Sequence, residues 1–64
     1  MIIHLESMLY VRVLKLLFKL GFRYKNFEYN VERQMYCVGV MSIAKTLPEC
    51  LETLEWIADK ANDT

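Results

Sequence analysis

A chain of 64 residues with no net formal charge and 55% hydrophobic residues has room for one domain, spanning residues 1–64, and none for a separate catalytic module. Zero net charge excludes a general pull toward nucleic acid or anionic lipid, and two cysteines are too few for the disulfide framework of a small secreted domain. A domain this short buries only about 60% of its unfolded surface, so the apolar excess points to an interface that supplements a marginal core.

The charges are unevenly spread. Residues 1–25 hold Arg12, Lys15, Lys19, Arg23 and Lys25 against Glu6, five less one, or +4. From residue 26, Arg33, Lys45 and Lys60 face Glu28, Glu32, Glu49, Glu52, Glu55, Asp59 and Asp63, three less seven, or −4. Basic and acidic helices lying side by side, in one chain or across a dimer, would account for the split. A basic nucleic-acid surface would instead need the cations to stay unpaired.

Met1 to Leu5 is apolar apart from His4 and reads as a short strand or as the first turn of a helix. Ser7 is an N-cap for the helix that follows. From Met8 to Leu20, ten of thirteen residues are apolar, and Arg12, Lys15 and Lys19 recur at spacings of three and four on one stripe. The remaining surface, roughly three quarters of the circumference, is apolar, more than one neighbouring helix can cover. Three cations along the segment argue against membrane insertion. The N-terminus has neither the basic region nor the cleavage site of a signal peptide. Together with buried, unpaired cysteines, these features imply a cytoplasmic protein.

Gly21 can close this helix in the left-handed conformation, with Phe22 packing back on the last turn and Lys19 complementing the carbonyl end. Residues 22–29 alternate aromatic and basic. As a strand, Phe22 and Tyr24 share one face and Phe27 and Tyr29 the other; as a loop, Asn26 caps a helix starting at Phe27. Over 27–45 the spacing of Tyr36, Val40, Ile43 and Leu47 fits a helix, with Glu28, Glu32, Gly39, Ser42 and Lys45 opposite. The Tyr, Val and Ile content of 35–43 fits a hairpin instead. Helix is preferred because no Asn-Gly or Asp-Gly turn divides two strands; Gly39 then costs about 1 kcal/mol and needs another backbone packed close to it.

The last segment is clear. Thr46 and Glu49 form a capping box and Pro48 lies in the first turn. Leu47, Cys50, Leu51, Leu54, Ile57, Ala58 and Ala61 share one face, opposite Glu49, Glu52, Asp59 and Lys60. The predicted fold is an all-α three-helix domain, approximately 7–20, 27–45 and 47–61, with α-β-β-α around a central hairpin as the alternative.

Site chemistry is sparse. One histidine and two cysteines lack metal-ligand spacing, the carboxylate pairs Glu28/Glu32 and Glu49/Glu52 read as solvated helix faces, and no glycine-rich phosphate loop exists. No enzyme activity, metal or cofactor is expected. Trp56 breaks the pattern of its helix, between Glu52 and Lys60 on the polar face. It is either half covered by the 22–29 loop or an anchor for a partner, together with Glu49, Glu52 and Lys60. Leu9, Val13, Leu16, Leu17 and Leu20 are the expected homodimer interface. The expected function is a small non-enzymatic regulator or inhibitor acting through protein–protein contact, of a size that suits a phage or plasmid accessory factor. The alternative is a dimeric nucleic-acid-binding regulator using Arg12, Lys15, Lys19, Arg23 and Lys25.

Overall fold

The computed structural model describes residues 2–62, with side chains from Ser7 onward. The chain runs through α1 (Ile2–Lys19), a 3-10 turn (Tyr24–Asn26), β1 (Phe27–Asn30), β2 (Met35–Val38), β3 (Met41–Ala44) and α2 (Leu47–Asn62). This overturns the all-α three-helix expectation. The middle of the chain is a three-stranded antiparallel meander in the order β1-β2-β3, so the α-β-β-α alternative is right in kind and one strand short.

α1 begins at Ile2 and passes through Ser7, which is therefore an interior helical residue and no N-cap. Its C-terminal end is as the sequence implies. Gly21 has φ +87; its N–H donates to the Phe18 carbonyl at 3.1 Å and the Phe22 N–H donates to the Leu17 carbonyl at 2.9 Å. That pair of bonds is a Schellman motif, which satisfies two orphan carbonyls and turns the chain sharply.

The helical reading of 27–45 failed at Gly39. Val38 pairs with Met41, leaving a two-residue connection in which Gly39 has φ +61 and Val40 does not have positive φ. A glycine with positive φ at the first central position is what a type II′ hairpin turn requires. Nothing lies within 4 Å of where a Gly39 Cβ would stand, so the residue is needed for its backbone conformation and not for close packing. The β1–β2 connection spans 31–34. There Asn30 Oδ1 accepts from the Arg33 N–H at 2.9 Å, and Gln34 takes φ +56. An asparagine side chain and one left-handed residue reverse the chain without the Asn-Gly signal.

Cross-strand register places Phe27 opposite Val38, and Tyr29 opposite Tyr36. Tyr36 pairs with Ala44 while Cys37 pairs with Ser42, so Ile43 is an extra residue at a β-bulge. The bulge lets two successive residues approach the core, Ala44 fully and Ile43 in part. Without it, strict alternation would send one of them outward.

The core joins Val13 and Leu17 of α1, Cys50 and Leu54 of α2, and Phe27, Val38 and Ala44 of the sheet. Tyr10 extends it, its ring 5.5 Å from that of Phe27, which stacks in turn on Tyr36 at 5.5 Å. Both helices lie on one side of the sheet. α2 starts as expected: the Glu49 N–H donates to Thr46 Oγ1 at 3.3 Å, and the Thr46 hydroxyl donates to Glu49 Oε1 at 3.1 Å.

Two layers leave a thin body, with extents of 37 × 28 × 18 Å. Its accessible surface is 5138 Å², whereas about 4300 Å² is typical of a compact monomer of this mass. The excess, about 800 Å², is close to what one partner buries in a standard protein interface.

Replacing Gly39 with alanine should lower stability by about 1–2 kcal/mol, through the backbone alone because the space beside it is open. In a domain this small, that corresponds to a fall of roughly 4–16 °C in the melting midpoint by circular dichroism. An unchanged midpoint would contradict the turn assignment.

Candidate functional site

α1 has two apolar sides, and the fold uses one. Leu9, Val13, Leu16, Leu17 and Leu20, expected at a dimer interface, lie on the inward side. Val13 and Leu17 are fully buried within one chain, and Leu16 and Leu20 pack partly against the core. Val13 and Leu17 therefore have no surface left for a second molecule, whereas Leu9, Leu16 and Leu20 stay partly exposed.

The outward side carries Phe18, 69% exposed, Met8, 51% exposed, and Val11, 46% exposed. Their spacing of three and seven sets them on one stripe. The Schellman turn and the following 3-10 turn fold Tyr24 back alongside, with its ring 5.6 Å from Phe18 in an edge-on arrangement. Val11, Leu14, Lys15, Phe18 and Tyr24 thereby line an open hollow of about 400 Å³. A second hollow of about 470 Å³ continues it, bounded by Phe18, Phe22, Arg23, Tyr24 and Lys25. The excess of apolar surface expected from the sequence is exposed on the side of Met8, Val11 and Phe18. The signal missing from the sequence was which apolar side faces α2 and the sheet, since both are made of similar residues.

Arg12, Lys15, Lys19, Arg23 and Lys25 are all exposed, and none forms an ion pair with a described residue. Lys15 borders the apolar hollow itself, and Arg23 and Lys25 border its continuation. Among the described residues, the side-by-side neutralisation that the sequence suggested does not occur as ion pairs.

Trp56 is 61% exposed on α2, so it is not covered by the 22–29 loop. Lys60 Nζ stands 5.7 Å from its ring centre, within cation–π range. Glu52, Glu55 and Asp59 share the surface around it, within about 120° of helical arc, all exposed and without an ion pair to a described residue. Glu49 is engaged in the helix cap. Two surfaces of opposite sign, each with an exposed aromatic at its centre, therefore face solvent.

The opposite face of the sheet holds a smaller arrangement that the sequence did not reveal. The Arg33 guanidinium donates to the Val40 carbonyl at 3.1 Å and to Ser42 Oγ at 3.3 Å. Arg33 belongs to the turn at one end of β2, and Val40 to the turn at the other. Its side chain therefore crosses the face on which Cys37 lies opposite Ser42, and the Cys37 Sγ is 3.7 Å from the Ser42 Oγ. Cys37 is buried although it is no part of the main core.

Cys50 has a displaced pKa. Burial pushes its thiol from the ordinary 9.0 up to about 11. A neutral buried thiol is a poor nucleophile and a poor metal ligand. No group of three or more His, Cys, Asp or Glu among the described residues could hold a metal ion. The side chain of His4, the single histidine, lies outside the described residues. No described helix is long and apolar enough to cross a membrane. Comparison with known proteins finds no matching family, no matching curated relative and no matching solved structure.

Two outcomes are expected for the thiols. Arg33→Ala should accelerate alkylation of Cys37 in the native protein and leave Cys50 unreactive, as read by mass mapping; equal rates in both proteins would show that Arg33 does not shield Cys37. The second concerns pH. The stability conferred by a neutral Cys50 is complete below the ordinary thiol value and is lost as the pH rises from 9.0 toward about 11, because the unfolded chain releases that proton first. Over that range wild type should lose stability more steeply than Cys50→Ala; parallel curves would contradict the assignment.

Proposed function

We propose that this protein is a small non-enzymatic regulator or inhibitor that works by protein–protein contact and associates with itself. The observation that carries the reading is the outward stripe of α1. Met8, Val11 and Phe18 are exposed in a row, and the hollow between Phe18 and Tyr24 has the size and the aromatic lining that interface anchors fill. A chain this short gains stability by covering such a surface, and self-association is the available route in a protein without disulfides among its described cysteines.

A specific observation also favours the nucleic-acid reading. Arg23 and Lys25 flank a hollow lined by Phe18, Phe22 and Tyr24, and unpaired cations beside aromatic rings suit phosphates and stacked bases. The contact reading ranks first because the acidic surface of α2 would repel a phosphate backbone.

Phe18→Glu tests the two together. Sedimentation of wild type at micromolar concentration should give about twice the monomer mass, and the variant should be monomeric with unchanged helical circular dichroism. A wild type that stays monomeric would remove the self-association. Heparin retention that falls with salt, in a wild type that does not self-associate, would favour the nucleic-acid reading.

A further inference from the structure

We infer that the contact between copies is complementary: the basic outward face of α1 in one molecule docks on the acidic outward face of α2 in the other, so that Phe18 and Trp56 are covered together. This rests on the self-association proposed above and specifies its geometry. The first ground is charge. Lys15 borders the apolar stripe of α1, and Arg12 and Lys19 follow on the same side, all without an ion pair to a described residue. Setting two α1 faces against each other would bring these cations together, and like charges at an interface oppose association. Glu52, Glu55 and Asp59 around Trp56 are equally unpaired, so α1 against α2 brings opposite signs into register.

Placement is the second ground. The buried residues of α1, Val13 and Leu17, and of α2, Cys50 and Leu54, meet in one core beside the sheet. On the helical wheel Arg12, Lys15 and Lys19 lie opposite the first pair, and Glu52, Glu55 and Asp59 opposite the second, so both sets of charges face away from that core. A two-fold axis lets α1 meet the partner's α2 while α2 meets the partner's α1, which closes the pair without leaving a free end. Trp56 supplies a rigid aromatic for the basic partner face, where a guanidinium or ammonium can lie over the indole as Lys60 already does at 5.7 Å.

The test uses two full-length variants, one with Arg12→Glu, Lys15→Glu and Lys19→Glu, the other with Glu52→Lys, Glu55→Lys and Asp59→Lys. Each alone should associate at least ten-fold more weakly than wild type by sedimentation. An equimolar mixture should regain the wild-type dimer mass, because the reversed α1 of one variant now faces the reversed α2 of the other. Recovery in the mixture also shows that both variants fold. Trp56, the sole tryptophan, adds a local readout: its emission should move to the blue as wild type is concentrated from a dilute, high-salt solution. If wild type dimerises while reversal of the α2 charges changes neither its mass nor the Trp56 emission, the complementary geometry is overturned and self-association stands. A wild type monomeric at every concentration overturns both.

Discussion

α1 is apolar on two sides, and one sheet with one helix can cover only one of them. Val13 and Leu17 are fully inside, whereas Phe18, next in sequence, is among the most exposed large apolar residues of the chain. Among the described residues no third layer covers the other side. The remaining choices are to leave the surface to water or to cover it with another molecule. At about 25 cal/mol per Å² of apolar area, even a few hundred Å² left uncovered is worth several kcal/mol, comparable with the whole stability of a domain this small.

The sheet shows how a short chain builds a layer with little material. Each strand has four residues, and none would be stable as an isolated hairpin. Three local devices compensate. The bulge at Ile43 delivers two neighbours to the core. The rings of Phe27, Tyr36 and Tyr29 form a continuous row at 5.0–5.5 Å. Arg33 ties the two turns across the outer face. Aromatic cross-strand pairs add to stability beyond their area, and the row reaches α1 through Tyr10.

Charge separation gives the interaction surface its direction. Cations gather on α1 and the segment after it, carboxylates on α2, and no ion pair joins them among the described residues. Exposed unpaired charge costs little in water, so the arrangement carries no penalty for the isolated molecule while imposing a strong preference on what may approach each face. Hydrophobic anchors supply affinity and the surrounding charges supply specificity, the division of labour found in protein interfaces generally.

The end of α1 and the start of α2 were legible in the sequence because their signals are local, whereas the start of α1, expected at Ser7, was not. Gly21 after Lys19 and Leu20, and Thr46 with Glu49, act within one turn of backbone, so their chemistry does not depend on the rest of the fold. The excess of apolar surface on α1 was equally legible from composition and period. The sheet was not, because Tyr36, Val40, Ile43 and Leu47 satisfy a helical period by coincidence, and both turns lack the Asn-Gly signature. Gly39 with its positive φ, and Asn30 with Gln34, acquire their meaning only once strands are paired across them. Nor could the sequence say which side of α1 would be buried. Val13 and Leu17 are no more hydrophobic than Val11 and Phe18, and only the position of α2 and the sheet decided that the first pair became core and the second became surface.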